Sequence, residues 1–428
     1  MPGVEPRHLF FPKILKSDEA SHFFGRESAF GQALDHLGND EAAVAIYGER
    51  GIGKSSFAWQ LASILDDSNS VFKRSKLQRV GREKRYECIF PSPANKPKSI
   101  SSVIANILSE KTSEYSLHAR YGQRFQDWGL YDSIQKRYGV SLHDIGFKNV
   151  GDDLLFTIFK EILHEIKNAN PRSSLVVFID EADEIDNTDG LGQLMKRIDV
   201  ANFVVVGIGD TVGDIIQDHA SAGRKLIGGL VELEGLNSNQ IGEIFDHASE
   251  RSNRRITFTS EYLARAKTVC AGFPWFAQNL GYQSVLSVVR NHDPGEDFTA
   301  RLGRAEFRLA LDAVRGVYQQ SLEKRIDFTE LEVAGPREII RVLAKARKPL
   351  TDTEISKELI RSERRIPMAK IDNFLYRLVH DASLLTKVAG KSGDSEDRFR
   401  FRDPIARTFA LEIVDQHSGE ESSDKSFS

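Results

Sequence analysis

The stretch "AIYGERGIGKSSFAWQLASIL" (45–65) constrains this chain more than any other. An apolar run leads into a glycine turn and a Lys-Ser pair, and an amphipathic segment follows. The pattern is G-x-x-x-x-G-K-[ST]: Gly48, Glu49, Arg50, Gly51, Ile52, Gly53, Lys54 and Ser55, with Ser56 directly behind. Glycines let the backbone close into a tight loop whose N–H groups converge. The helix that starts there adds the positive end of its dipole. In this pattern the lysine reaches the β- and γ-phosphates of a nucleotide, and the Ser55 hydroxyl is a ligand for Mg²⁺. Residues 43–47 read as a buried strand and 54–65 as a helix, the context that such a loop needs.

A second stretch, "SLVVFIDEADEID" (174–186), completes the pattern. Its apolar run reads as a buried strand with Asp180 emerging at the carboxyl end, where open parallel sheets bind ligands. Asp180 is suited to hold Mg²⁺ with Ser55. Glu181, one residue on, is suited to polarise a water against the γ-phosphate as a general base. The acids lie beyond an intervening strand, so the expected fold is an α/β P-loop NTPase of the additional-strand type with a parallel sheet. The guanine-reading N-K-x-D sequence is absent, which favours ATP over GTP.

Composition narrows the class. The 428 residues correspond to about three domains. Hydrophobic residues make up 40% and charged residues 28%, which is ordinary for a globular protein. No apolar stretch reaches the roughly 18 residues of a membrane span. The first twenty residues carry prolines and charges in place of a signal-peptide core. Cys88 and Cys270 are the only cysteines, too few for a disulfide framework or a metal knuckle. The chain therefore reads as cytoplasmic and reduced. A net charge of −4 gives no global sign of a nucleic-acid partner, so any such sign must be local.

Along the chain, 21–38 reads as a lead-in segment and helix. Residues 72–85 hold seven Lys/Arg against the single acid Glu83. "YECIF" (86–90) and "NFVVVGIGD" (202–210) read as strands, 99–110 and 152–169 as helices, and 111–149 as an insertion with weak periodicity. Strands alternating with helices imply a parallel sheet. From 237 to about 323 the pattern is helical.

These motifs together resemble AAA+ and STAND P-loop ATPases, particularly the initiator-like, origin-recognition type and archaeal or bacterial STAND switches. The resemblance spans about 22–410 and is weak over 111–149. "FFGRE" (23–27) resembles the box that lies over the adenine in that family, which implies nucleotide contacts from Phe24 and Arg26. "GERGIGKS" and "FIDEADE" resemble Walker A and Walker B. "VGIGD" (206–210) resembles the strand that carries the sensor-1 residue; here that residue is Asp210, where the family usually has Asn, and a plain turn is the alternative. The stretch around Arg224 resembles the one that often bears an arginine finger, acting on the nucleotide of a neighbouring subunit; a plain surface arginine is the alternative. "AGFPWF" (271–276) resembles the G-x-P motif of STAND helical domains, which implies Pro274 near the nucleotide. Trp275 stands where AAA+ proteins usually carry the sensor-2 arginine, and this favours a switch over a processive unfoldase.

Residues 336–402 read as a winged helix. Ile339, Val342 and Leu343 line its first helix, Thr351 or Thr353 caps the second, and Pro367 opens the third. "LLTKV" and "RFRFR" form the wing. The expected organisation is a P-loop ATPase domain over 1–235, a helical lid over 236–325, a winged helix over 326–415 and a disordered tail over 416–428. Arg361, Arg364, Arg365, Lys370 and Arg377 make the third helix basic, with acids interspersed. Two partner classes stay open: double-stranded DNA, met by 72–85 and the winged helix, or a protein partner or effector chain. The resemblance also implies a homo-oligomer in the ATP-bound state.

Overall fold

Five short apolar runs build one parallel sheet. The structure, a computed structural model, describes residues 4–77, 84–92, 99–142, 145, 150–185, 189–207, 220–293, 296–323, 334–346, 349–362, 365–380, 384–388, 397–401, 406–407 and 409–410. The strands are β1 (Ala43–Gly48), β2 (Arg85–Ile89), β3 (Ser173–Ile179), β4 (Ala201–Gly207) and β5 (Leu230–Leu233), in the order β2-β3-β4-β1-β5 with every pair parallel. β4 lies between β1 and β3, so the acid-bearing strand is one strand removed from the loop-bearing one. β3 and β4 are buried along their whole length, which is why Leu175–Ile179 and Phe203–Val206 are apolar without alternation. β5 escapes a periodicity reading because it is only four residues long and follows two glycines.

The chain divides into two compact units, one of residues 13–48 and 52–234, the other of 1–12, 49–51 and 235–428. In the first, the helix Lys54–Leu65 is buried without a break from Phe57 to Leu65. Its burial therefore extends beyond the single apolar face that the amphipathic reading implies. Trp59 stacks on Phe90 at 4.5 Å, and the polar Gln60 is fully buried, donating to the carbonyls of Leu15 and Lys16. The segment 111–149 contains two helices, Leu117–Asp127 and Leu130–Tyr138. Each buries only two or three side chains (Leu117, Tyr121 and Phe125; Leu130 and Ile134), which explains the weak periodicity. These side chains join the core formed by Ile104, Ile107, Phe159 and Ile162. Arg120 fixes the hairpin with two 2.9 Å bonds to Asp66, and the Tyr121 hydroxyl donates to Glu87 at 2.9 Å.

The second unit begins with the helices Ser238–Arg251, Ser260–Cys270, Pro274–Val289 and Arg304–Glu323, with a parallel pair β6 (Ile256–Phe258) and β7 (Ala300–Leu302). The first twelve residues belong here and not with the P-loop sheet, contrary to the expected 1–235 grouping. The reason is Phe10. Its ring is fully buried against Phe245 (5.7 Å) and Phe258 (6.1 Å), in a space that Gly281 leaves by having no Cβ. The Phe11 N–H adds a 2.8 Å bond to Gln278 Oε1. The winged-helix part has helices Ala334–Lys345, Asp352–Arg361 and Met368–His380, with β8 (Leu350–Thr351), β9 (Leu385–Val388) and β10 (Arg398–Phe401) in the antiparallel order β8-β10-β9. Thr351 is the cap of the second helix, reciprocated by Glu354. Ile340, with Ile339 and Leu343, fills the inner face of the first helix; Val342, expected there, is half-buried. The wing tip at 389–396 and the tail at 416–428 lie outside the described residues.

Candidate nucleotide site

β1 ends at Gly48, where the chain turns into the loop and then into the helix Lys54–Leu65. At Gly48 a Cβ would stand 2.6 Å from the Leu233 carbonyl oxygen of β5, so a side chain cannot fit without moving the sheet edge. Gly51 and Gly53 have φ of 79° and 98°. Ile52 is the one buried side chain of the loop. Lys54 Nζ donates to the Gly48 carbonyl at 3.0 Å, so the ammonium lies across the loop it belongs to. The Ser56 hydroxyl accepts the Leu15 N–H at 3.0 Å, which ties the lead-in segment to the first turn of the helix. Glu49, Arg50 and Gly51 group with the second unit, where Glu49 lies 3.8 Å from the Arg400 guanidinium of β10.

Asp180 follows β3 and hydrogen-bonds the Ser55 side chain. Burial pushes its carboxyl up to about 6, and the bonds from Ser55 and from the Glu181 N–H (2.8 Å) pull the other way. Lys54 also lowers it, while the charge of Glu181 raises it. Glu181 takes the left-handed conformation (φ 56°, ψ 36°), uncommon for a residue with a Cβ and concentrated at functional sites. The short turn Ala182–Glu184 starts from it. Ser55, Lys54, Asp180 and Glu181 are thus brought together at the carboxyl end of the sheet.

The box before β1 is fixed by a residue that the sequence reading passed over. Phe23 packs against Phe30 (5.7 Å), Phe57 (6.5 Å) and Phe72 (6.0 Å), while Phe24 is half-buried. Arg26 turns back with φ of 76° and donates to the carbonyls of Ile52 (3.3 Å) and Glu234. Burial lowers its guanidinium to about 10, partly offset by the Glu234 charge.

Arg224 is exposed on the helix Ala220–Leu226. Its neighbour Lys225 pins that helix by donating to the Met195 carbonyl at 2.9 Å. Asp210 lies outside the described residues. Pro274 occupies the first turn of its helix, within the second unit. Gly272 before it has φ of 88° and leaves 2.9 Å between its missing Cβ and Gly235 Cα. Leu236 N–H donates to its carbonyl at 2.8 Å, so the "AGFPWF" turn is packed onto 235–236.

In the basic run, three of the described cations are already committed. Lys73 donates to the Asn69 carbonyl (2.7 Å), Arg74 to Leu65 and Asp67, and Lys84 to Gly38 and Asp40. Lys76 and Arg85 are exposed, and 78–83 lie outside the described residues. On the third winged helix (Met368–His380) Lys370 and Arg377 are exposed, as is Arg365 before it; Arg361, expected there, is instead the last residue of the second helix and pairs with Glu358, and Arg364 is outside the described residues.

No protein-family model matches the sequence, and no curated protein matches it. Solved structures do. The Walker-type ATPase of Pyrococcus abyssi is 13% identical, with 93% of this chain and 98% of that one covered and a TM-score of 0.51. The ADP form of the Aeropyrum pernix ORC2 protein is 13% identical (94% and 98% covered, TM-score 0.49). The Aeropyrum pernix ORC1 protein in complex with DNA is 12% identical (94% and 96% covered, TM-score 0.46). The fold is that of a P-loop NTPase, a parallel sheet of the additional-strand type, followed by a helical domain and a winged helix. No helix among the described residues is long and apolar enough to cross a membrane.

Proposed function

We propose that this chain is an initiator-like AAA+/STAND switch that binds ATP with Mg²⁺ and hydrolyses it slowly. The observation that carries this reading is the meeting of Ser55 with a desolvated Asp180 beside Lys54 and Glu181. A buried carboxylate whose charge is only partly compensated is suited to a cation. Among the described residues no group of three or more His, Cys, Asp or Glu gathers as a metal site. Mg²⁺ beside phosphates needs no such group, because one or two protein ligands, phosphate oxygens and water complete its shell. Ser55 and Asp180 would hold the Mg²⁺, which would supply neutralisation of the charge that develops on the phosphates.

The chain's own residues then divide the work. The backbone of Gly48–Ser56 wraps the phosphates, Lys54 leaves the Gly48 carbonyl for the β/γ oxygens, and Ser55 and Asp180 hold the cation. Glu181 orients and deprotonates the attacking water. Arg224 supplies a finger in trans within a homo-oligomer, and the family resemblance makes Phe24, Arg26, Asp210 and Pro274 the further candidates for nucleotide contact. The ATPase domain runs to 235, less its first twelve residues; the lid spans 236–325 and the winged helix 326–415.

The switch acts on double-stranded DNA through Lys76, Arg85 and the exposed cations at the third winged helix. A protein partner is the second reading, favoured by the committed state of Lys73, Arg74 and Lys84 and by the exposed Ile360, Met368 and Tyr376. Glu181→Gln tests the chemistry: it keeps the cation ligands, so ATP still binds while turnover falls by about 10²-fold or more. Turnover equal to wild type would refute the assignment.

A further inference from the structure

Arg26 stands at the N-cap of the helix Glu27–Leu37 and makes no side-chain cap there. Asp, Asn or Ser would stabilise that helix end better. The residue also carries a left-handed backbone, a conformation strained for any residue with a Cβ. It is desolvated as well. Something else must account for an arginine here, and its contacts supply it. We infer that Arg26 is a positioning residue, a clamp that holds the phosphate loop to the point where the chain leaves the nucleotide unit. One guanidinium donates to Ile52 of the loop and to the carbonyl of Glu234, the last residue of that unit.

The geometry suits arginine alone. Its planar fork presents donors in two directions, so two carbonyls are held at a fixed spacing; a lysine ammonium is a point donor with no such rigidity. The clamp's base is stiff. Phe23 is packed among three aromatic rings, and the Arg26 carbonyl accepts the Phe30 N–H at 2.9 Å. Its two targets are strategic. Ile52 lies within the loop proposed to wrap the phosphates. Glu234 directly follows β5, which pairs with β1 in register from Ala45↔Leu230 to Gly48↔Leu233. A shift of the Ile52 carbonyl on nucleotide entry therefore reaches the end of β5 through one side chain. This rests on the nucleotide reading above, but the clamp itself is a property of the nucleotide-free chain.

Hydrogen exchange on the full chain without nucleotide, followed by release of fluorescent ADP, separates the two. Arg26→Lys and Arg26→Gln should speed exchange over 231–236 by about tenfold, the loss of one charge-assisted hydrogen bond, while 173–179 stays protected. Both should also release ADP several-fold faster. Glu234→Asp keeps both the clamped carbonyl and the charge beside Arg26 and should exchange like wild type, which guards against a general effect of altering this edge. Unchanged exchange over 231–236 in both Arg26 variants overturns the clamp, whatever ADP does. So does exchange that rises equally over 173–179, which would mark Arg26 as a general fold residue. Wild type that fails to bind ADP would sink the nucleotide reading, and the exchange data would still decide the clamp.

Discussion

Replacing Asp180 with Asn changes the charge of the site and leaves its shape. Burial is the main reason that this carboxyl is raised, and Ser55, the Glu181 N–H and Lys54 only partly restore it. The rise from 3.8 to about 6 is about two units, so holding the charge costs the nucleotide-free fold about 3 kcal/mol at neutral pH. The sign follows from which state keeps the proton. The folded chain holds it to higher pH than the unfolded chain does. The penalty is thus absent below 3.8, grows from there to about 6, and is complete above. Asn is neutral throughout, and its Oδ1 still accepts the Glu181 N–H. Asp180→Asn should exceed wild type by about 3 kcal/mol at pH 8 and by about half that at pH 5. For a unit of this size that is a Tm gain of about 6–12 °C at pH 8. Scanning calorimetry in EDTA without nucleotide reads it. A variant no more stable than wild type at pH 8, or a gain that does not shrink on acidification, would refute the electrostatic account of this site.

Three further outcomes follow from the placement of the exposed cations and the Phe10 anchor. Arg224→Ala should slow turnover only at protein concentrations where subunits associate; a silent variant, with turnover per subunit independent of concentration, removes the finger. Duplex DNA binding, measured by anisotropy, should weaken with salt at a slope of about −0.9 per phosphate contact. Joint replacement of Lys76, Arg85, Arg365 and Lys370 by Gln should flatten that slope, and no binding at low salt with either ATP or ADP would leave the protein partner as the better account. Phe10→Ala should destabilise the lid unit by about 3–5 kcal/mol through the cavity it leaves, read as an earlier melting transition.

Much of this was legible in the residues. The glycine loop, the β3 acids and the helix behind the loop were readable because each depends on local chemistry: close backbone approach at Gly48, a continuous apolar run before Asp180, an apolar-rich segment directly after the glycine turn; the burial of that helix all the way from Phe57 to Leu65 was not readable. The winged helix was readable from its caps and periodicity. What escaped depends on contacts distant in sequence. Phe10 belongs to the lid because of Gly281, more than 250 residues away. β5 is too short to show a period. Arg26 and Glu234 meet only once β5 is paired with β1, and the left-handed turn at Glu181 has no composition signal. The cations of 72–85 looked free in sequence, yet Lys73, Arg74 and Lys84 find carbonyls and carboxylates beside them.

The central claim is that the loop of Gly48–Ser55 holds ATP through Lys54, with Mg²⁺ at Ser55 and Asp180. Thermal melting of wild type and Lys54→Ala, with and without Mg·ATP, tests it most directly. At a ligand concentration of about 100 Kd, binding should stabilise wild type by about 2.7 kcal/mol. The account predicts a clear upward shift for wild type and none for Lys54→Ala. An equal shift in both proteins, or no shift in wild type at millimolar Mg·ATP, would contradict it.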